Sequence, residues 1–251
     1  MVPFQIKICG VTKADDAVFA CRSGADAIGL NFYEPSSRYV CPPGDSNSDP
    51  PKDDAVQIVE SVRQWSESEK ATPVKLIGVF VNLSSKRAVE IARQLGLDGI
   101  QLHGDEPVSH VQEIRELTSQ SDSVLIIRAV RTNPRDEQQT DPKVELKRIE
   151  SEIAQWSSAG VDAVLLDAAV AGEFGGTGKS VDWNSVPKLN SEVPVILAGG
   201  LTAENVARAI QCSEAKAVDV ASGVESSPGQ KDDSLVRSFI ESAKNSLREK
   251  T

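Results

Sequence analysis

A thiol, an imidazole and two carboxylates sit in or just after short apolar runs of this sequence. Cys9 closes Phe4-Gln5-Ile6-Lys7-Ile8-Cys9, and His103 follows Gly99-Ile100-Gln101-Leu102. Asp167 ends Ala163-Val164-Leu165-Leu166-Asp167, and Asp219 stands inside Ala217-Val218-Asp219-Val220-Ala221. A thiol that can give up its proton and a carboxyl that can supply one form an acid–base pair, each member contributing about 10²–10⁴-fold to a proton-transfer reaction. A second group of residues is glycine-bearing: Gly175-Gly176-Thr177-Gly178, Gly199-Gly200 and Ser222-Gly223. Glycine lets backbone N–H groups come close to an anion, and a helix N-terminus adds a favourable partial charge. Proton transfer on a small phosphorylated molecule is the chemistry these types suit.

The elements that must position them alternate along the chain. Apolar runs at 4–9, 27–32, 75–81, 99–102, 124–130, 163–167, 195–198 and 217–221 predict eight strands. Between and after them, amphipathic stretches near 13–23, 54–69, 84–95, 107–118, 144–158, 183–190, 202–211 and 232–246 predict helices, with Thr12, Ser84 and Thr202 as N-caps. Eight strand–helix units in 251 residues predict an α/β fold, a single (β/α)₈ (TIM) barrel over 1–251. A doubly wound open sheet is the structural alternative, disfavoured because the alternation runs the whole length. Polar, Pro-rich stretches near 41–53 and 131–143 read as loop insertions, since strand–helix alternation resumes after each.

Alternation along a strand assigns faces. Phe4, Ile6 and Ile8 share one face and should meet the helix ring, so Lys7 and Cys9 turn into the barrel. The same test turns Asn31, Gln101, His103, Asp167 and Asp219 inward. A barrel of this type carries its active site at the C-terminal strand ends and its phosphate cradle in the loops after strands seven and eight. Cys9, Asn31, His103 and Asp167 stand at such ends, with Asp219 slightly deeper. The glycine turns at 175–178, 199–200 and 222–223 follow strands six, seven and eight.

Composition narrows the partners. A formal net charge of −10 excludes a general nucleic-acid surface, which needs clustered Lys and Arg, yet allows a local pocket for a small anion. Four cysteines without CxxC or metal-ligand spacing, no leader-like N-terminus and no apolar run near 20 residues predict a reduced cytoplasmic protein with no membrane span. Taken alone, several of these residues have plainer readings. A free cysteine is usually a small buried hydrophobe, and Cys21, Cys41 and Cys212 keep that reading. His103 suits a satisfied structural histidine as well as a ligand contact, Arg38 an ordinary loop charge, and Trp65 and Trp156 packing.

The motifs together resemble the phosphoribosylanthranilate isomerase family of tryptophan biosynthesis. The resemblance rests on Lys-Ile-Cys-Gly at 7–10, Gly-Ala-Asp-Ala-Ile-Gly at 24–29, Gly-Val-Phe-Val at 78–81 and Gln-Leu-His-Gly-Asp-Glu at 101–106. It continues through Leu-Leu-Asp at 165–167, Gly-Gly-Thr-Gly at 175–178, Asp-Trp at 182–183 and Leu-Ala-Gly-Gly-Leu at 197–201. Asp-Val-Ala-Ser-Gly-Val-Glu at 219–225 and Lys-Asp at 231–232 complete it in the family's order. It implies an Amadori rearrangement without metal or cofactor, with Cys9 as general base and Asp167 as general acid. It also implies Arg38 on the anthranilate carboxylate, Asp219 near the substrate amine, and Gly176, Gly178, Gly199, Gly200, Ser222 and Gly223 around the phosphate; His103 joins the candidate substrate contacts from its place at the strand ends. Ser37, where the family often has proline or a basic residue, and Ala168-Ala169 after Asp167 depart from the pattern. The insertions make the chain longer than compact bacterial members and more like fungal ones, where the domain is often fused to or associated with other tryptophan-pathway domains.

The chemistry sets two requirements. Asp167 must carry a proton, which burial at the mouth favours, and Cys9 needs thiolate character, which Lys7 on the same face would promote by lowering the thiol pKa. Two other classes fit parts of the pattern. A lyase-type indole-glycerol-phosphate synthase would lean on a lysine where this chain has Cys9, and a non-catalytic phosphate-binding barrel would have no use for an intact Cys9 and Asp167.

Overall fold

The computed structural model describes residues 2–43, 54–118, 124–132, 142–168 and 183–248. Eight parallel strands close on themselves in chain order: β1 (Ile6–Cys9), β2 (Ala27–Asn31), β3 (Lys75–Phe80), β4 (Gly99–Leu102), β5 (Leu125–Thr132), β6 (Ala163–Ala168), β7 (Val195–Leu197) and β8 (Val218–Val220). The ring is completed by β1 against β8, with Lys7 level with Asp219. Helices α1 (Ala14–Ser23), α2 (Asp54–Ser68), α3 (Ser85–Leu95), α4 (Ser109–Thr118), α5 (Pro142–Ala159), α6 (Val206–Ser213) and α7 (Asp233–Arg248) surround it. The expected single (β/α)₈ barrel is the observed fold. Among the described residues no helix is long and apolar enough to cross a membrane.

The sheet wall separates two cores. Outward residues such as Ile6, Ile8, Ile28, Leu30 and Leu76 pack with the apolar stripe of the helices; in α7 that stripe is Val236, Phe239, Ile240, Ala243 and Leu247, a helical repeat. The lower lumen holds a smaller plug of Ala27, Ile77, Ile127, Ala129, Ala163, Leu165 and Ile196. Phe4 belongs to this plug, not to the outer face with Ile6 and Ile8. It precedes the first paired residue, so strand alternation does not govern it, and its side chain is buried among the lumen residues. Trp156 is buried against the helix-side core and Trp65 packs on its edge, as expected of packing residues.

Several local expectations change. Ser84 caps α3, accepting from Arg87 N at 3.3 Å. Thr12 does not cap α1: its hydroxyl donates to Gly229 O at 2.6 Å, and Lys13 occupies the N-cap position without a side-chain bond. The seventh helix starts at Val206 instead of Thr202, after a turn in which Asn205 Oδ1 accepts from Thr202 N at 2.8 Å. Trp183–Lys188 forms a 3₁₀ helix. Of the stretch 131–143 read as a loop insertion, Arg131 and Thr132 belong to β5, and Pro142 opens α5 at the first helical position, where a missing N–H costs nothing; 133–141 lie outside the described residues. A short antiparallel hairpin follows β8: β9 (Glu225–Ser227) and β10 (Gln230–Lys231), with Glu225 opposite Lys231.

Candidate active site

Above the apolar plug the lumen becomes charged. Lys7 is fully buried and its ammonium donates to Asp219 Oδ1 at 2.9 Å. Cys9, two residues on, faces the same side. Its sulfur fits because β2 has a glycine alongside: a Cβ at Gly29 would stand 2.7 Å from Sγ and 3.1 Å from Lys7 Cε. Burial works against the Lys7 ammonium, but Asp219 and the neighbouring Cys9 outweigh it and hold its pKa above the ordinary lysine value. Burial is also the largest influence on Cys9 and pushes its thiol up. Lys7 pulls the thiol down, Asp219 opposes, and Lys231 adds a small downward pull; the net is a pKa above that of a free cysteine. The expected influence of Lys7 is present, but burial outweighs it.

Across the lumen, β4 and β6 supply a hydrogen-bonded chain. Gln101 Nε2 donates to His103 Nδ1 at 2.8 Å. With Nδ1 accepting, the ring proton lies on Nε2, 3.2 Å from Asp167 Oδ2. All three side chains are buried. His103 is fixed through its backbone as well, donating to Phe80 O at 2.9 Å and accepting from Arg131 Nη2 at 3.1 Å. His103 is therefore both a satisfied histidine and a residue of the site.

The loop after β2 delivers Arg38. Asn31 Nδ2 donates to Ser36 Oγ at 3.2 Å, and Arg38 N donates to the same oxygen at 3.1 Å, so the inward asparagine shapes the turn. The Arg38 stem lies against Gly10, next to Cys9. Its guanidinium grips Glu225 with two parallel bonds, Nε to Oε1 at 2.8 Å and Nη2 to Oε2 at 2.7 Å. These bonds, working against burial, raise the Arg38 pKa.

One cavity at the C-terminal end of the barrel is lined by Cys9, Arg38, His103, Asp167 and Asp219, and by Gly199, Gly200, Ser222 and Gly223. Every candidate site residue inside the described regions thus borders the same space; Gly176 and Gly178 lie outside the described residues. Gly199 and Gly200 both take left-handed backbone, with φ of 80° and 63°. Asn205 Nδ2 donates to Gly200 O at 2.8 Å and holds that turn. A Cβ at Gly223 would collide with Leu201 O, so the loops after β7 and β8 pack backbone to backbone.

The sequence model of the N-(5'-phosphoribosyl)anthranilate (PRA) isomerase family matches residues 45–242. The chain belongs to this family. The N-(5'-phosphoribosyl)anthranilate isomerase of Thermotoga neapolitana is 38% identical over 241 residues, covering 96% of this chain and 98% of that protein. The crystal structure of phosphoribosyl anthranilate isomerase from Thermotoga maritima is similar at a TM-score of 0.71 and 33% identity, over 96% of this chain and 99% of that one. A phosphoribosyl anthranilate isomerase in complex with reduced 1-(o-carboxyphenylamino)-1-deoxyribulose 5-phosphate is similar at a TM-score of 0.68 and 30% identity, with the same coverage. The two Thermotoga proteins are bacterial and of matching length, so the likeness to fungal members drawn from loop length finds no support in them.

Two charged residues bound to Arg38 or to its partner escaped functional reading of the sequence, although both lie in quoted motifs: Glu225 and Lys231. The signal for them is Pro228-Gly229, a turn dipeptide. Gly229 at φ 82° fits the third position of a type II turn and closes the β9–β10 hairpin that carries both charges.

Proposed function

We propose that this chain converts N-(5'-phosphoribosyl)anthranilate to 1-(2-carboxyphenylamino)-1-deoxyribulose 5-phosphate by an Amadori rearrangement, with Asp167 as general acid and Cys9 as general base. The observation that carries the reading is the meeting of Cys9, Asp167 and Arg38 on one cavity with the glycine turns after β7 and β8, in a barrel of this family. Asp167 protonates the furanose ring oxygen, the C1′–O bond breaks, and the nitrogen lone pair closes a Schiff base. Cys9 removes the proton from C2′, and the electron pair passes to the Schiff-base nitrogen as an enolamine that tautomerises to the ketone. In this reading His103 orients Asp167 through the contact of its Nε2 with Oδ2. Lys7 opposes the thiolate charge on Cys9, Arg38 takes the anthranilate carboxylate and Asp219 stands near the substrate amine.

Phosphate is held at the Gly199–Gly200 and Ser222–Gly223 turns, where glycine-bearing loop backbones border the cavity; Gly176 and Gly178 are assigned to the same group from their motif. The whole of 1–251 is read as one barrel domain. Four free cysteines suit a reducing cytoplasmic setting. Fusion to other tryptophan-pathway domains rests on loop length alone, and relatives of matching length give it no support. The test is loss of phosphoribosylanthranilate fluorescence with substrate made in solution. Wild type should turn over, and Cys9→Ser and Asp167→Asn should be severely impaired. An inactive wild type, or full activity in both variants, defeats the assignment.

A further inference from the structure

The β9–β10 hairpin lies outside the eight strand–helix units, and the reaction as proposed gives it no part. Its charged side chains are nevertheless almost completely enclosed, with Glu225 3% and Lys231 1% exposed. Enclosing ions is costly unless each is paired and hydrogen-bonded. Here the pairing is complete and aimed at one residue. Glu225 receives Arg38 Nε and Nη2 in a fork-on-fork arrangement, while Lys231 Nζ donates to Glu225 Oε1 at 2.7 Å and to Ala221 O at 3.0 Å. Lys231 thus anchors Glu225 to the end of β8, and Glu225 fixes the plane of the guanidinium.

That geometry has a directional result. The Nε–Nη2 edge of Arg38 is occupied by Glu225, so the Nη1 side remains for a ligand in the cavity that Arg38 lines. Arg38 and Lys231 share the single carboxylate of Glu225, so the guanidinium keeps positive charge for a carboxylate arriving from the cavity. The hairpin is itself tied to the first unit of the barrel, through Thr12 Oγ1 to Gly229 O at 2.6 Å and Lys231 N to Asp16 Oδ2 at 3.3 Å. The guanidinium is therefore referenced to the strand that bears Cys9.

We infer that Glu225 and Lys231 are positioning residues that present Arg38 to the aryl carboxylate of the substrate, and so set the preference for arylamines that carry one. This rests on the reading that Arg38 receives that carboxylate. Two ligands separate the possibilities: reduced 1-(o-carboxyphenylamino)-1-deoxyribulose 5-phosphate and the same compound without its ring carboxylate. Their affinities for wild type, Glu225→Gln, Glu225→Asp and Arg38→Leu are measured by calorimetry, with KM and kcat alongside.

Glu225→Gln should weaken the carboxylate ligand about 10–100-fold, the range of one charge-assisted contact. The ligand without the carboxylate should stay within about 2-fold. KM should rise more than kcat falls, and Glu225→Asp should recover part of the loss. Equal weakening of both ligands, or no weakening of either, overturns the inference. If Glu225→Gln does not fold, the double variant Glu225→Gln/Lys231→Met, which leaves no lone charge in the hairpin, carries the same expectation. Should Arg38→Leu fail to separate the ligands, the underlying assignment of Arg38 falls with it. Should Arg38→Leu separate them while the Glu225 variants do not, only the present inference falls.

Discussion

Lys7–Asp219 and Glu106–Arg128 are both buried ion pairs, 2.9 and 2.6 Å long, tied to strands of one barrel. The first stands inside the wall and the second outside it, where β5 meets α5. Glu106 accepts from Asn82 N at 2.8 Å and Gly104 N at 2.9 Å as well as from Arg128. Arg128 in turn donates to Gly104 O at 3.0 Å and lies 4.4 Å over the Trp156 ring. That pair is turned in on the scaffold, and burial, its largest influence, leaves the Arg128 pKa below the ordinary value despite Glu106. In the lumen pair, by contrast, pairing overcomes burial for Lys7, and both members look outward to chemistry: Lys7 to the Cys9 sulfur, Asp219 to the cavity. Burial and pairing alone do not mark a functional charge. In the proposed reaction what marks it is whether its field falls on the proposed base, Cys9, or on the frame.

Breaking the comparison at the reacting groups gives the largest effect. Cys9→Ala and Asp167→Asn should each lower kcat by about 10²–10⁴-fold with an unchanged circular dichroism spectrum. On the frame side, Arg128→Ala leaves Glu106 enclosed without its cation and should cost about 3–5 kcal/mol of stability, read from urea unfolding. The folded fraction should retain kcat within about threefold, since no reacting group loses its partner. A large loss of kcat without a loss of stability would reverse the roles assigned to the two pairs.

The lumen pair is sharpened by pH. Reactivity of Cys9 toward iodoacetamide follows its thiolate, so the rate should rise with pH and titrate above an ordinary cysteine. In Lys7→Met/Asp219→Asn the largest downward influence is gone, and the profile should move to still higher pH. An unmoved profile would remove Lys7 from the account of the thiolate. Cys21, buried and pushed up to about 12, should not compete.

The smallest effect concerns Glu225. Burial opposes its ionisation, but Arg38 and Lys231 outweigh that and hold its carboxyl below the ordinary range. A depressed folded-state pKa adds stability that is full above the unfolded pKa and is lost as pH falls through the folded one. Acid denaturation of Glu225→Gln should therefore show a shallower slope in that window than wild type.

Much of this was legible in residue order, because alternation in a parallel strand is geometric. Once Ile6 and Ile8 face the helices, Lys7 and Cys9 must face the lumen, and the same rule placed Gln101, Asp167 and Asp219. It failed where no strand pairing enforces it, as with Phe4, which packs with the lumen residues. Caps at Thr12 and Thr202 were misread because side-chain oxygens have competing partners: Gly229 lies 217 residues from Thr12 in sequence, and nothing local announces it. The sign of the Cys9 shift depends on how much water burial removes compared with what Lys7 returns, a balance of two large quantities invisible in residue types. Glu225 and Lys231 were visible as motif letters, but their joint grip on Arg38 is a tertiary arrangement.

The contacts that assemble the mouth span nearly the whole chain. Lys7 and Asp219 are 212 residues apart, Thr12 and Gly229 217, and Asp16 and Lys231 215. Such contacts form only after long loops have closed, an entropic cost met late in folding. Until the eighth strand docks beside the first, Lys7 lacks Asp219 and the thiol lacks its cavity. Recovery of turnover during refolding should therefore trail recovery of helix signal, which makes catalysis a clock for the closing of the ring.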